Sequence, residues 1–210
     1  MIELYAIADH PGPPLPGLGS LRVVPAGDLA VICAPAEERE VTPEALWRHE
    51  EVVEALMEQR DLLPVRYGTL VDDDAAAAAA IAERRDELTA ALDRVRGRVE
   101  LSVRAVAADP TGGDRDGEPA GGTDYLRAKL RSAAAHETVA RSLHEPLAAL
   151  ARAAMQRPPR PSDELLRAAY LVDRDAIGTF TRLVARLDER HPGLRLLCTG
   201  PWPPYSFARQ

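Results

Sequence analysis

The 210-residue chain predicts an α+β protein of two domains joined by a Gly/Asp-rich linker, and three observations carry that reading. Segments with strand-like alternation and segments with helical spacing succeed one another over residues 1–107, in the order strand, hairpin, helix, strand, helix, strand. Residues 108–122 then give up apolar side chains for Asp, Gly and Pro, and a second set of helices and strands fills 123–210. With 46% apolar and 28% charged residues, the chain can bury a core in each part.

Met1 to Ala8 sets Ile2, Leu4 and Ala6 against Glu3, Tyr5 and Ile7, the alternation of a strand. Pro11 to Gly19 is too rich in Pro and Gly to extend a ladder and reads as a loop. Leu21–Val24 and Leu29–Ala34 flank Gly27-Asp28 and predict a hairpin. Thr42 is placed to cap a helix running to about Arg60, with Pro43 at its first position and Leu46, Val53 and Met57 on its inner stripe. Leu62 to Val71 is apolar, and Pro64 keeps Leu63 out of helical angles, so this stretch reads as extended. Asp72-Asp73-Asp74 can cap the Ala-rich helix that follows, whose stripe is Ile81, Leu88, Leu92 and Val95 and whose stop is Gly97. Arg98 to Ala107 alternates again, with Val99, Leu101, Val103 and Ala105 inward.

Beyond the linker a helix is expected from about Thr123 to Met155, with Leu126, Leu130, Leu143, Leu147 and Leu150 near one stripe and Pro146 dividing or kinking it. After the Pro-rich break at 157–161 come a strand, Leu165–Val172, and a helix capped by Asp173 with Ile177, Phe180, Val184 and Leu187 at helical spacing. His191-Pro192-Gly193 ends that helix, and Leu194–Thr199 forms a last strand.

A net charge of −7 gives nucleic acid no electrostatic reason to approach. No stretch reaches the roughly 20 apolar residues needed to span a bilayer, and the first residues lack the basic and apolar parts of a secretion signal, so a cytoplasmic protein is expected. Cys33 and Cys198 stand far apart without metal or redox spacing and read as reduced thiols in apolar segments. The five histidines form no HExxH, and neither a phosphate-binding lysine motif nor a nucleophile elbow occurs. Gly17-Leu18-Gly19 lacks the third glycine of a dinucleotide fingerprint, and Asp114 to Gly117 lacks the glutamate of a calcium loop. No catalytic residue, cofactor or metal is therefore expected.

The informative segment is the end. Trp202, Tyr205 and Phe207 fall within six positions of a chain with 4% aromatics, interleaved with Pro201, Pro203 and Pro204. Prolines stiffen the backbone, so the rings are presented either to the protein's own core or to a partner. Gly200–Phe207, reading GPWPPYSF, resembles the closing signature of the gas vesicle GvpL/GvpF family. Four further stretches agree in order: Leu63–Thr69 resembles the family's LPxRFGT segment with Tyr67 in place of Phe; Gly97–Arg104 is similar to a G-x-V-E-x-x-V-K/R strand with Leu101 where Trp is frequent; Tyr125-Leu126 matches a Y-L helix start; Ala168–Val172 matches an AYLV strand.

The resemblance implies two domains each related to a ferredoxin-like fold. It implies an accessory protein required for gas vesicle formation that binds the shell protein GvpA, and other accessory proteins with it, during assembly, either leaving afterwards or staying as a minor vesicle component. Its candidate partner-binding residues are Trp202, Pro203, Pro204, Tyr205 and Phe207, joined by Arg66 and Tyr67 of the LPVRYGT segment. Arg66, set between apolar neighbours, is expected in a cleft, as half of a structural ion pair or as a partner contact. The rival reading is a regulatory module that holds a small molecule at a sheet edge.

Overall fold

A computed structural model of the chain describes residues 1–12, 15, 19–36, 41–108, 122–159 and 164–208, with backbone only for 122–134. It divides into two compact units. The first is Met1–Glu100 with Pro201–Gln210, and the second is Leu101–Gly200. Composition alone draws the boundary at 108–122, a stretch that lies outside the described residues except at its ends. Packing divides the chain elsewhere because the strand before that stretch pairs with strands that follow it, while the terminal residues bury their side chains in the first unit.

The first unit contains strands β1 (Ile2–Asp9), β2 (Arg22–Ala26), β3 (Leu29–Pro35), β4 (Leu63–Pro64) and β5 (Leu70–Val71), with helices α1 (Pro43–Gln59), α2 (Asp74–Glu83) and α3 (Arg85–Val95). The sheet order is β2-β3-β1-β4, β5 also pairing with β1, and these pairings are antiparallel. The predicted hairpin forms around Gly27, whose φ of 72° suits a residue without a Cβ. Thr42 caps α1 as expected, accepting from the Ala45 amide. Val53, Leu56 and Met57 face the core, but Leu46, assigned to that stripe, is 44% exposed. It lies in the first turn of the helix, and the buried place on the stripe goes to His49.

The expected single Ala-rich helix is two. Asp73 caps α2 through the Ala76 amide, α2 ends at Arg84, and α3 resumes with Asp86 and Glu87 in its first turn. Ile81, Leu88, Leu92 and Val95 are all buried, so the inward pattern survives the break.

The second unit carries most of β6 (Arg98–Ala107) with α4 (Gly122–Leu150), β7 (Ala153–Gln156), β8 (Glu164–Asp173), α5 (Ile177–Arg190) and β9 (Leu194–Trp202), in the sheet order β7-β8-β6-β9. Leu143 and Leu147 of α4 join Tyr170, Phe180, Val184 and Leu187 in one core. Pro146 stands inside α4, and Leu126 and Leu130 lie among the residues described by backbone only. Residues 153–155, read as the end of that helix, instead belong to β7, antiparallel to β8. Asp173 does not cap α5 through its side chain; its Oδ2 accepts from Arg152 Nε at 2.8 Å, and a short 3-10 turn, Arg174–Ala176, leads into the helix.

Candidate functional site

The LPVRYGT segment is an arch over β1. Leu63 and Pro64 pair with Ile7 and Ala6, the Val65 amide donates to the Tyr5 carbonyl at 2.8 Å, and the Leu4 amide donates to the Thr69 carbonyl at 3.0 Å. The turn from Arg66 to Thr69 closes through the Thr69 amide and hydroxyl on the Arg66 carbonyl, with Gly68 at φ 77° where a second-type turn demands a positive angle.

Under this arch sits a polar cluster that periodicity did not announce. The pairing of β1 with β3 shifts between Leu4 and Ala6, which leaves Tyr5 as an extra residue, a bulge that re-aims side chains locally. The Tyr5 ring stacks on His49 at 4.7 Å, and Tyr67 meets His49 edge-on at 5.6 Å. His49 Nε2 donates to the Val65 carbonyl across 2.8 Å, and Nδ1 lies 3.0 Å from Glu3 Oε1, a contact that needs a proton on one of the two groups. The Gly68 amide adds a longer bond to Glu3 at 3.4 Å. His49 is 2% exposed, so this cluster ties β1, α1 and the arch together from inside. Beside it a cleft of about 230 Å³ is lined by Glu3, Tyr5, Pro35, Ala36, Val41, Tyr67, Gly68 and Leu70.

The terminal octapeptide is built differently from its left to its right. Pro203 and Pro204 are buried, the Phe207 and Ala208 amides donate back to the Pro204 carbonyl, and Phe207 is 6% exposed. The Ser206 amide and hydroxyl donate to the two oxygens of Glu100 at 2.8 and 2.7 Å, both residues being buried. Arg94 Nη1 donates to the Phe207 carbonyl at 3.3 Å. A carboxylate held by two donors is a strong anchor, because hydrogen bonds to charged groups are about twice as strong as neutral ones. Burial raises the Tyr205 phenol well above its ordinary value, and the nearby carboxylates of Glu50 and Glu54 add to the shift. Trp202 stands at the edge of this structure, 38% exposed.

Of the seven sequence candidates, Pro203, Pro204 and Phe207 therefore face inward, Tyr205 and Tyr67 are half-buried, and Trp202 and Arg66 are exposed. Arg66 forms no ion pair among the described residues; its carbonyl makes the structural bonds. The residues that sequence reading missed are His49 and Glu3. A histidine at the buried position of a helix stripe, four residues before Val53, was the available signal.

The second unit has its own polar pair, the half-buried His144 Nδ1 with the buried Tyr170 hydroxyl at 2.9 Å. Burial lowers the His144 pKa and raises that of Tyr170. Glu164 is buried against Arg104 at 2.6 Å. Among the described residues no group of three or more His, Cys, Asp or Glu could hold a metal ion, and no helix is long and apolar enough to cross a membrane.

Fold and site together define a mixed helix-and-sheet protein in which the buried polar groups described above fasten one element to another. The family model for the gas vesicle synthesis protein GvpL/GvpF matches residues 3–209, and the chain belongs to that family. Gas vesicle protein L of Streptomyces sp. (strain CB03234) is 34% identical over 207 residues, covering 88% of this chain and 77% of the relative. Gas vesicle protein F of the same strain is 28% identical, covering 97% and 98%. The crystal structure of GvpF from Anabaena sp. PCC7120 superposes with a TM-score of 0.86 at 21% identity, covering 100% of this chain and 96% of that one. GvpF from Microcystis aeruginosa does so at 0.81 and 19%, covering 100% and 99%. Membership gives the chain a role in gas vesicle formation.

Proposed function

We propose that this chain is an accessory protein that binds the shell protein GvpA while gas vesicles assemble, and that its two units descend from ferredoxin-like domains. The observation that carries the reading is the placement of the tryptophans. The sequence holds two, and both are at the surface of the first unit, Trp47 67% and Trp202 38% exposed. Large aromatic rings left in water are the side chains that protein interfaces most often use as anchors. Val41, Leu46 and Leu70 add apolar surface to the same unit at 79%, 44% and 36% exposure. A shell subunit that is apolar before assembly needs such a surface to stay dispersed.

In this reading Trp202 is the exposed contact at the chain end, Pro203, Pro204, Tyr205 and Phe207 hold it in place, and Arg66 and Tyr67 offer a second contact at the arch. A metabolite-binding module would need a suitable cleft: the one beside Glu3, at about 230 Å³, is small against the roughly 300–1,000 Å³ of ordinary ligand pockets, and the larger one of about 650 Å³ lined by Gly27 and Arg84 to Glu87 lies wide open to solvent. The test is co-expression of tagged chain with GvpA. Recovery of GvpA with the wild-type chain, reduced several-fold by Trp47→Ala with Trp202→Ala, is expected; failure to recover GvpA under conditions that keep both proteins dispersed overturns the proposal.

A further inference from the structure

The cleft beside the arch is small for a metabolite, yet its lining suits one kind of side chain. Glu3, Tyr5 and Tyr67 are half-buried there, while Pro35, Val41 and Leu70 are exposed, so a carboxylate and two phenol rings lie deeper than an apolar rim. Glu3 is held at one oxygen. His49 Nδ1 stands 3.0 Å and the Gly68 amide 3.4 Å from Oε1. Oε2 is met among the described residues by the Tyr5 hydroxyl at 3.4 Å, long against the roughly 2.7–2.8 Å usual for such a bond. Among the described residues no Lys or Arg pairs with Glu3, although its side chain is only 15% exposed. A carboxylate oxygen with lone pairs to spare thus lines a cavity, in a side chain largely withdrawn from water. The rings beside it are fixed in place, because Tyr5 stacks on His49 and Tyr67 meets the same imidazole edge-on.

We infer that this cleft receives an arginine side chain of the polypeptide that the protein holds during assembly. The guanidinium donates to Glu3 Oε2 and lies against the rings of Tyr5 and Tyr67, and the aliphatic stem crosses Val41 and Leu70. Each part of the lining has its counterpart. A long cationic side chain rests its stem on apolar surface while its head seeks an acceptor. The planar guanidinium both donates to carboxylates and stacks on aromatic rings, which the ammonium of lysine does less well. A cavity of about 230 Å³ has room for one such side chain. The inference rests on the reading of the chain as an assembly protein, and adds what the partner inserts at the arch.

The probe is the capped tripeptide Ala-Arg-Ala. It is set against the same peptide with citrulline, which keeps the shape and loses the charge, and against guanidinium chloride at equal ionic strength. The Gly68 amide, which bonds Glu3 and lines the cleft, reports binding by NMR. The arginine peptide is expected to bind in the millimolar range, as a single contact should, and the citrulline peptide and the free ion at least tenfold more weakly. Val41→Lys changes an exposed position, places a cation at the rim, and should weaken arginine-peptide binding tenfold or more. Glu3→Gln keeps an acceptor for His49, removes the charge, and should have a similar effect. Circular dichroism verifies the fold of both variants.

Equal binding of the citrulline and arginine peptides overturns the inference, as does arginine-peptide binding that a folded Val41→Lys chain retains. Guanidinium ion binding as tightly as the peptide also overturns it, since the stem then has no part. GvpA capture undiminished by Val41→Lys overturns it too, while leaving the proposed function in place. Arginine-peptide binding by a chain that captures no GvpA supports the cleft and removes the proposed function.

Discussion

The terminal octapeptide and the outer face of α1 belong to the same unit and teach opposite lessons about surface residues. The octapeptide has the denser aromatic signal, yet most of it is satisfied internally: Phe207 is buried and Ser206 is bonded twice to Glu100. The outward side of α1 leaves Trp47 67% exposed, with Glu51 and Glu58 exposed on the same helix. A group whose hydrogen bonds are complete within the fold has a structural task. A large ring left mostly in water adds little to the fold that holds it.

The sharpest test of that contrast is to truncate one ring in each place. Phe207→Ala should cost about 3–5 kcal/mol of stability, read by denaturant unfolding, because it leaves a cavity in a packed site. If the change costs nothing, the tail is not part of the core and the contrast fails. His49→Ala removes the donor to Val65 and the ring between Tyr5 and Tyr67, and should cost about 2–4 kcal/mol through the buried groups it strands. Glu100→Ala should cost about 1–3 kcal/mol, since the Ser206 donors lose their acceptor in a buried place. Trp47→Ala should change stability by less than about 1 kcal/mol, its ring being 67% exposed.

The smallest expected effect concerns pH. The folded pKa of Glu54 is raised above its unfolded value, so the folded state binds its proton more readily. Ionisation of this group therefore costs stability as pH rises through the carboxylate range, and the cost is complete above the folded pKa. Glu54→Gln should stabilise the chain slightly at neutral pH, with the advantage vanishing as the pH falls below about 4.3. A mutant that is less stable at neutral pH contradicts the sign. Thermal melts across that range decide it.

Strands, hairpin and cap were legible because they follow from neighbours in sequence: alternation in Ile2–Ala8, Gly27 at the turn, Thr42 three residues before Ala45. Ile81, Leu88, Leu92 and Val95 were legible as an inward stripe, but the break at Arg84 was not, because Ala-rich sequence favours helix on either side of it. β7 was missed since Ala153-Ala154-Met155-Gln156 has helical propensity and becomes a strand only by pairing with β8. The aromatic tail was legible as a feature, while its inward direction was set by Glu100 and Arg94, more than a hundred residues away. The Glu3–His49 contact likewise joins residues 46 apart in sequence. Tertiary partners of this kind leave no periodicity.

A protein that takes part in gas vesicle formation should be needed for it. Deleting its coding sequence from cells that build gas vesicles, and counting buoyant vesicles by electron microscopy, measures that directly. Loss of the vesicles, restored by the wild-type chain, is the predicted result; a normal complement of vesicles in the deletion cells contradicts it.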